Sequence, residues 1–296
     1  MSEPSDRPLD LHRLRQFLSV ATNSGFTRAA AELHLTQQAL STSVRQLERQ
    51  VGASLFDRSG RHVTLTPAGR VLHDGAPALL AASSALVRKT FDASRGVARP
   101  FIVGHTPAIT SDEVFELIEP VRKRLPDTSF TAVALFPHQL STALYDGSVD
   151  MVLRRGVVTP RDLAAAVIAY HPVRVAVARG HELAQRDSVS IRELRHERVV
   201  VWAPPGESFY TDFILGTCRR AGFEPEFVVN PIQGTPPVTA AVDGGVAFVT
   251  APAGAALGGR VIVVDLDDAP LAPTQALWLP HTASAVRDAF ISIHNQ

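Results

Sequence analysis

Apolar residues recur at helical spacing over the first fifty positions of the chain. They predict a first helix from Leu11, a short second helix with Thr27 as its N-cap, and a third helix that Thr36 caps. The residues on the apolar faces of the first and third helices are Leu11, Leu14, Phe17, Leu18, Ala21, Ala39, Leu40, Val44, Leu47 and Val51. Two helices joined by the short turn at His34-Leu35 are typical of a helix-turn-helix.

The opposite face of the third helix is polar, with amides and hydroxyls first and cations later. A recognition helix enters the major groove by its N-terminal turn, where an amide can bind an adenine edge in bidentate fashion. The segment 55–65 has β-branched residues around a turn and predicts a two-stranded wing. Together these features favour DNA binding over the alternative, an ordinary solvated helix face. The cations expected near phosphates or the minor groove are Arg45, Arg49, Arg58 and Arg61.

A longer apolar stripe comes after the wing. Thr66 and Pro67 fit an N-cap and a first helical residue, and they open a helix that is predicted to end near Phe91. Its stripe consists of Val71, Leu72, Leu79, Leu80, Leu86 and Val87. The helix could pack on its own domain or against a second copy, and we favour dimerisation because a break at 95–100 separates it from the rest of the chain. Pro77 in its interior predicts a kink.

From Pro100 onward, strand-like runs alternate with helical ones. The predicted strands are 101–104, 129–136, 150–153, 173–178, 199–202, 227–229, 246–250, 261–264 and 275–279, and the predicted helices are 106–125, 139–145, 208–221 and 284–293. This alternation is expected of mainly parallel sheets, and it predicts two α/β lobes. The last strand and helix could return to the first lobe.

The zero net charge of the chain hides an uneven distribution. Its 29 basic and 29 acidic residues balance, but residues 11–70 contain eight arginines against three acids. A basic segment that coincides with the helix-turn-helix favours contact with phosphates. The 45% of apolar residues suffices for real cores. Because there is no apolar run of about 18 residues and no signal peptide, we expect a soluble, cytoplasmic protein with no membrane partner.

Residues 9–95 resemble the N-terminal domain of the LysR-type transcriptional regulators. The motifs that carry the resemblance are Leu14-Arg15-Gln16-Phe17, Gly25-Phe26-Thr27-Arg28-Ala29-Ala30, Thr36-Gln37-Gln38-Ala39-Leu40-Ser41, Gln46-Leu47-Glu48, Leu55-Phe56-Asp57-Arg58 and Leu65-Thr66-Pro67-Ala68-Gly69. Weaker motifs occur further along in the order expected for the family, namely Leu125-Pro126-Asp127, Asp146-Gly147-Ser148-Val149-Asp150, Gly180-His181-Glu182-Leu183-Ala184 and Gly244-Gly245-Val246-Ala247. The resemblance thus spans nearly the whole chain.

The resemblance implies an α/β protein overall, with an all-α winged helix-turn-helix at 9–66 and a dimerising linker helix at 67–96. An effector-binding domain at 97–296 would resemble type 2 periplasmic binding proteins, with lobe I at about 97–168 and 272–296 and lobe II at about 169–271. The implied partners are double-stranded promoter or operator DNA, a small-molecule effector, and further copies of the chain in a dimer or a tetramer. The implied function is transcription regulation through sequence-specific DNA binding that the effector modulates.

The family's groove-reading positions correspond to Gln37, Gln38, Ser41 and Thr42. The full set of predicted DNA-binding residues is Thr27, Arg28, Thr36, Gln37, Gln38, Ser41, Thr42, Arg45, Arg58 and Arg61. Two residues depart from the family pattern, because Gln38 stands where a proline or small residue is usual and Thr42 where Arg or His is common. Operator preference at Thr42 therefore cannot be transferred from the family.

Loops after the strands predict an effector cleft, since ligands of open α/β sheets bind beyond the carboxyl ends of strands and between lobes. The predicted effector-binding residues are Thr106, Pro107, Phe136, His138, Pro204, Gln233 and Thr235. Thr106, at the predicted start of a helix, could bind an anion, cap the helix, or do both. His138 could bind the effector or lie on a loop surface.

Arg154 and Arg155 end a predicted strand near the crossing between lobes. They could face a carboxylate or form a solvated pair, and we favour the solvated pair. The hypothesis for the effector is a small metabolite, with an anionic, carboxylated compound as one form of it.

Two other classes of protein are an enzyme of unknown reaction and a solute-binding module. The segment 181–185 begins like a zinc-protease helix, but Gln185 replaces the second histidine. The chain has no G-x-S-x-G elbow and no phosphate loop, and its histidines are scattered, so we expect no catalysis, no metal site and no cofactor. A solute-binding module leaves the first ninety residues unexplained. The single cysteine, Cys218, is expected to be a buried apolar side chain.

Overall fold

The computed structural model describes residues 8–57, 63–95, 99–160, 162–232, 234–235, 237–280 and 282–294. It divides into two compact units, one from the chain up to residue 96 and one from nearly all of the remainder, and each is described by itself. Within the described ranges, no helix combines the length and the apolar content that crossing a membrane requires.

Three helices and a small hairpin share one core in the N-terminal unit. The elements are α1 (Leu11–Thr22), α2 (Phe26–Glu32), α3 (Gln37–Val51) and the antiparallel strands β1 (Phe56–Asp57) and β2 (Thr64–Leu65). The centroid of the Phe56 ring lies 5.2 Å from that of Phe17 and 5.7 Å from that of Phe26. The hairpin therefore completes the core that the helices begin, and the predicted winged helix-turn-helix is confirmed.

The N-terminus of α3 agrees with the sequence prediction, and that of α2 does not. The Thr36 hydroxyl accepts the Ala39 N–H at 3.1 Å, so it caps α3 as predicted. The predicted cap at Thr27 is wrong, because α2 begins at Phe26 and comes directly after Gly25, which has no side chain to bond the helix. Glycine is tolerated at an N-cap, and the earlier start lets Phe26 point into the core.

α4 (Pro67–Ser94) is a continuous helix that ends a few residues beyond the predicted position. The Thr66 hydroxyl accepts the Gly69 N–H at 3.0 Å, which confirms the predicted cap. Gly69 is also a position of close approach, since a Cβ there would lie 2.1 Å from the carbonyl oxygen of Leu55. Only glycine lets the first turn of α4 come this close to the chain before the wing. Pro77 lies inside the helix, and the kink there stays a prediction.

The C-terminal unit alternates strands and helices. In chain order its elements are β3 (Phe101–His105), α5 (Ser111–Arg124), β4 (Phe130–Ala134), α6 (Leu140–Tyr145), β5 (Met151–Arg155), β6 (Ala164–Pro172), β7 (Arg174–Ala178), β8 (Ser188–Ser190), β9 (Val199–Val201), α7 (Phe209–Arg220), β10 (Phe227–Val229), β11 (Val246–Val249), β12 (Gly254–Ala256), β13 (Val261–Asp267), β14 (Leu271–Trp278) and α8 (Ala285–His294). Short 3₁₀ turns fill several of the connections.

Two sheets define two lobes in this unit. Lobe I contains the sheet β4-β3-β5-β14-β6 with α5 and α8 packed on it. Lobe II contains the sheet β10-β9-β11-β7-β13-β12, with β8 beside β13 and α7 packed on it. The chain passes from one sheet to the other at Val173 and again at 268–270. The predicted lobe boundary at 168 falls inside β6, and the one at 272 falls at the start of β14.

Neither sheet is mainly parallel, so that prediction is wrong. In lobe I, β3 is parallel to β4 and β5, whereas β14 is antiparallel to β5 and β6. In lobe II, β9 is parallel to β10 and β11, whereas β7 is antiparallel to β11 and β13. The strands next to the crossings do not arrive through a strand-helix-strand unit, so nothing requires them to run parallel to their neighbours.

α5 begins later than the sequence predicts. The Thr106 N–H donates to the Leu153 carbonyl at 3.1 Å, which keeps residue 106 at the edge of the sheet, and a turn leads on to Thr110. Thr110 caps α5 in a capping box with Glu113, where each side chain accepts the other residue's backbone N–H. The idea that Thr106 caps this helix, or binds an anion at its N-terminus, is therefore wrong.

Candidate DNA-binding surface and effector cleft

α3 presents its polar residues to solvent on the side opposite the core. Leu40, Val44 and Leu47 have no exposed surface, and they recur at helical spacing on the inner face. The predicted DNA-binding residues that are exposed are Thr27, Arg28, Thr36, Gln37, Gln38, Thr42 and Arg45, and Ser41 is half-buried. Arg58 and Arg61 lie outside the described residues. The outer face of α3 therefore offers amides and hydroxyls over its first two turns.

Thr27 has a role that sequence reasoning did not assign. Its hydroxyl donates to the Gln37 side-chain carbonyl at 3.3 Å, across the turn between α2 and α3. His34 in that turn adopts a left-handed conformation, with φ of 53°. With its carbonyl engaged, Gln37 keeps its amide NH₂ group for donation to a base edge. Thr27 thus orients the first amide of α3.

Glu48 holds the wing against α3. Its carboxylate accepts the N–H of Leu55 at 2.9 Å and that of Phe56 at 3.4 Å, the residues where the chain enters β1. A carboxylate that bonds two backbone donors fixes the strand more firmly than apolar packing alone. The hairpin therefore keeps a defined position relative to the polar face of α3.

Two cations of α3 are available to phosphates. Arg45 and Arg49 are exposed, and with Thr42 they border an open groove that extends to Ser54. Neither arginine forms an ion pair with any residue that the structure describes. Uncompensated guanidinium groups beside a groove-reading helix supply the salt-dependent part of DNA affinity.

A cleft in the C-terminal unit is bounded by residues of both lobes. It encloses about 140 Å³ beneath an open mouth, which is less than the roughly 300–1,000 Å³ of sites for drug-sized molecules and favours a compact ligand. Its lining residues are Thr106, Pro107, Ala108, Phe136, Pro137, Leu140, Arg154, Arg155, Trp202, Ala203, Glu207, Ser208, Phe209 and Tyr210. Thr106, Pro107 and Phe136 of the predicted effector set are among them.

The other predicted effector residues lie around this cleft rather than along it. His138 stacks on the Phe136 ring, with centroids 6.0 Å apart and an interplanar angle of 6°. Pro204 accepts the Glu207 N–H at 3.2 Å in the loop before α7. Thr235 shares a hydrogen bond of 2.7 Å with Thr239, and Gln233 is outside the described residues.

Gly234 brings the loop of Thr235 close to lobe I. A Cβ on Gly234 would lie 3.5 Å from the tip of the Phe136 ring, and the residue has a φ of +77° that favours glycine. Two of the loops that the sequence predicts to border a common site, one from each lobe, are thus neighbours.

Arg155 is buried and bonded on every side. Only 3% of it is exposed, so the prediction of a solvated arginine pair is wrong. Its N–H groups donate to the carbonyl of Ala108 (3.3 Å), to Nδ1 of His171 (3.1 Å), to the hydroxyls of Thr250 (2.7 Å) and Thr274 (2.5 Å), and to the carboxylate of Glu113 (2.5 Å). These five acceptors use all five guanidinium donors. Thr250 comes directly after β11 of lobe II, so Arg155 ties the two lobes together.

The ionisable partners of Arg155 respond to burial and to each other. Burial by itself would raise the pKa of Glu113, but the Arg155 charge and the Thr110 N–H outweigh it and hold that pKa below its ordinary value. Burial lowers the pKa of His171, and the nearby Glu113 only partly opposes this. Because Arg155 can only donate, Nδ1 of His171 is an acceptor, and the neutral ring carries its proton on Nε2.

Arg154 differs from its neighbour. It is half-buried, and it donates to the Gln275 side-chain carbonyl from Nε at 3.1 Å and from Nη2 at 3.0 Å, and to the Val158 carbonyl. No carboxylate among the described residues pairs with it, and its Nη1 has no protein acceptor there. Burial lowers the pKa of Arg154, yet guanidinium groups remain protonated in proteins. The cleft therefore contains an uncompensated cation.

Sequence reasoning missed several cleft residues. Trp202 ends a strand whose apolar run was predicted, but which strand ends face each other depends on the sheet order. Ser208 is the N-cap of α7, which starts one residue after the predicted position, and the first residues of that helix, Phe209 and Tyr210, line the cleft. The helix start was a usable signal, because the N-terminus of a helix after a strand is a common ligand position.

Cys218 lies in the apolar core of lobe II. Burial raises the pKa of the Cys218 thiol to about 11, so it is a protonated, apolar group. Over the described part of the chain, no three His, Cys, Asp or Glu residues lie close enough together to hold a metal ion.

Two family models match the chain. The bacterial regulatory helix-turn-helix protein, lysR family, matches residues 11–70, and the LysR substrate binding domain matches residues 94–294. Among curated proteins, the uncharacterized HTH-type transcriptional regulator YnfL of Escherichia coli K12 is 32% identical over 73% of both chains. The HTH-type transcriptional regulator BudR of Raoultella terrigena is 30% identical over 73% of this chain and 75% of its own.

Solved structures show the same fold. The LysR family transcriptional regulator CbnR superposes with a TM-score of 0.61 at 17% identity, covering 97% of this chain and 98% of that one. Full-length CbnR in complex with its target DNA gives a TM-score of 0.60 at 17% identity, covering 97% and 99%. Both units described above therefore occur together, in this order, in a known fold. The chain belongs to the LysR family and is a DNA-binding transcriptional regulator with a C-terminal effector-binding domain.

Proposed function

We propose that this regulator reads its operator with the exposed face of α3 and senses a small molecule in the cleft between lobes I and II. The observation that carries the proposal is the outer face of α3, where Gln37, Gln38 and Thr42 stand exposed above a fully buried apolar face. Gln37 and Gln38 would read base edges, while Arg45 and Arg28 would bind the phosphate backbone. Ser41, Thr27 and Thr36 would support them.

The effector would act by favouring one arrangement of the lobes. Thr106 and Phe136 line the cleft from lobe I, and Trp202 and Phe209 line it from lobe II. A ligand that contacts both walls binds best when the walls are at the right distance, and it shifts an equilibrium only by its differential affinity for the two arrangements. We propose that the chain binds this ligand without converting it.

The oligomer would form through α4. Its large apolar residues Val71, Leu86, Val87 and Phe91 are 76%, 66%, 67% and 57% exposed in the isolated chain. Such residues usually find a partner surface, and a second α4 would present the same apolar residues. We propose a dimer or a tetramer that acts in the cytoplasm, where its DNA is.

The experiment that tests this function is retention on DNA upstream of the protein's own gene. Labelled fragments are titrated with the full chain in the presence of excess unrelated DNA, at several salt concentrations, and the protected bases are mapped by footprinting. We expect a footprint that survives the competitor at physiological salt. Binding that ignores sequence and disappears at moderate salt would contradict the proposal.

A further inference from the structure

We propose that the effector is an aromatic monocarboxylate, with its carboxylate bound by Arg154 and Thr106 and its ring between aromatic side chains of the two lobes. This inference deepens the proposed function of the cleft and rests on it. It comes from three features of the lining residues: which cation is available, which polar group lacks a partner, and which apolar surfaces face the space.

Arg154 is the available cation. Arg155 also borders the cleft, but its five donors are all used within the protein, and one of its partners is the carboxylate of Glu113. Arg154 has two amide or backbone acceptors and no acidic partner among the described residues. A half-buried guanidinium with unused N–H groups binds carboxylates well, because its geometry matches theirs and little solvent screens it.

The Thr106 hydroxyl is the unpartnered polar group. Thr106 is only 6% exposed and lines the cleft, and its backbone groups are bonded to Leu153 and Ile109. No described residue bonds its hydroxyl. The hydroxyl is open to the cleft rather than sealed from solvent, so a ligand that hydrogen-bonds it would take the place of water there. Thr106 lines the same cleft as Arg154, and the proposal assigns both to one anion.

Aromatic side chains supply the apolar surfaces. Phe136 lines the cleft from lobe I, and Trp202, Phe209 and Tyr210 line it from lobe II. His138 covers one face of Phe136, so a ligand would meet the opposite face or the edge of that ring. Flat aromatic walls favour a flat ring over a flexible chain, since stacked or edge-to-face rings gain more than their buried area alone provides.

The charges around the cleft favour a single carboxylate. Glu207 is exposed at the same lining, and its negative charge opposes a second anionic group. Glu207 could instead attract an amine, but Arg154 is the more buried of the two charges, and a buried charge interacts more strongly with a ligand than an exposed one. An aromatic acid satisfies Arg154 and Thr106 while leaving Glu207 in solvent.

Trp202 makes the test direct. The chain has two tryptophans, Trp202 in the cleft and Trp278 in β14, so the full-length Trp278→Phe variant carries a single reporter. We would titrate it with benzoate, phenylacetate, cinnamate and indole-3-carboxylate. The comparison set consists of their amides, cyclohexanecarboxylate, succinate and benzylamine. We expect one or more aromatic acids to change Trp202 emission saturably and to bind at least about tenfold tighter than the matching amide.

Substitutions at Arg154 and Thr106 test whether these residues bind the carboxylate of the ligand. Arg154→Gln should lose about tenfold or more in affinity for the acid and little for the amide, and Arg154→Lys should be intermediate. Thr106→Val keeps the shape but lacks the hydroxyl, so it should lose about fivefold. Arg192→Gln removes an exposed charge outside the cleft and should bind as the parent does. Circular dichroism identifies any variant that fails to fold.

Several results would overturn the inference: no aromatic acid in the set binds, the best ligand is aliphatic, neutral or cationic, or Arg154→Gln binds the acid as the parent does while folded. Operator retention is measured on the same samples without any compound. If retention is specific but the best ligand is neutral, the inference fails and the proposed function stands. Acid binding with no specific retention would support the inference and count against DNA regulation.

Discussion

Gln37 and Arg45 lie on the same exposed face of α3 but differ in what they can recognise. The amide NH₂ group of Gln37 donates to a base edge, whereas the guanidinium of Arg45 binds any phosphate. We therefore expect Gln37→Ala to reduce the preference for the operator over unrelated DNA by about 1–3 kcal/mol. Arg45→Ala should weaken binding to both DNAs by the same factor. It should also reduce the slope of log affinity against log salt concentration by about 1 in magnitude.

Fluorescence anisotropy with operator and scrambled fragments at several salt concentrations measures both effects. Gln185→Ala and Arg192→Ala are matched controls, since both residues are exposed in the C-terminal unit. Thr27→Val should resemble a mild form of Gln37→Ala, because it releases the amide that Thr27 orients. Unchanged operator preference in Gln37→Ala would exclude this residue from base contact.

Glu113 predicts how the stability of the C-terminal unit depends on pH. The fold lowers the pKa of Glu113, so its ionised carboxylate stabilises the folded state fully above the unfolded pKa of 4.5. This stabilisation is lost as the pH falls through the lower pKa of the folded state. The lowered pKa of His171 acts in the same direction below 6.5, because the unfolded ring takes up its proton first. The free energy of unfolding should therefore fall on acidification from about pH 7.

Replacing this carboxylate should be costly. Glu113→Gln leaves the Arg155 charge buried without its counter-ion, and we expect the free energy of unfolding to fall by about 3–5 kcal/mol at neutral pH. The stability of this variant should also depend less on pH on the acidic side. Urea unfolding followed by tryptophan emission reports on this unit, since both tryptophans are in it. Glu119→Gln, which removes an exposed pair with Lys123, should change stability by less than about 1 kcal/mol. Equal losses in the two variants would contradict this account.

At the scale of elements, two glycines of α4 should respond to alanine in opposite ways. Gly69→Ala places a Cβ against the Leu55 carbonyl, which must move, and we expect a loss of about 1–3 kcal/mol in the N-terminal unit. Gly75→Ala meets nothing within 4 Å and gains helix propensity, so we expect a gain of about 0.5–1 kcal/mol. Hydrogen exchange of peptides from α1 to α4 measures both, and destabilisation by Gly75→Ala would show that this position is packed.

The elements that sequence patterns predict well are those with local signals. α3 has a Thr36 cap, an apolar stripe and a closing Gly52, and all of them lie within or next to its own residues. The start of α5 is predicted too early because Thr106 followed by proline resembles a helix start, while the bond that keeps Thr106 in the sheet comes from Leu153, 47 positions away. Sheet direction around β6 and β14 depends on the crossings between lobes, which no local pattern records.

In the candidate sites, too, features with local sequence signals could be predicted and those that depend on distant segments could not. The exposed face of α3 could be predicted because helical periodicity alone separates Gln37 and Thr42 from the buried positions. In the cleft, loop positions after strands indicated Thr106 and Phe136. The partners of Arg155 come from five separate segments, so adjacent arginines that look alike in the sequence could not be told apart. Their different surroundings arise only when the sheets are assembled.

At the scale of the whole molecule, binding of the effector and of the operator should be reciprocal. If the effector changes operator affinity by some factor, the operator must change effector affinity by the same factor, because both are one coupling free energy of about 1–3 kcal/mol. Calorimetric titration of the effector into free and operator-bound protein measures this. Equal affinity in the two titrations would mean that the cleft and α3 are not coupled.

The contrast between Arg154 and Arg155 also bears on how such a regulator changes over generations. Substitution of Arg155 leaves the buried Glu113 carboxylate and several hydroxyls without their hydrogen-bond donor, which destabilises the fold. Selection should therefore remove most changes at this position, whatever the ligand. Arg154 has few hydrogen-bond partners within the protein, so we expect the chain to remain folded when it is replaced. In a library selected for response to new compounds, we expect accepted changes to accumulate at 154 and to spare 155. Two neighbouring residues thus differ in function: Arg155 is required for folding, whereas Arg154 is free to change with the ligand.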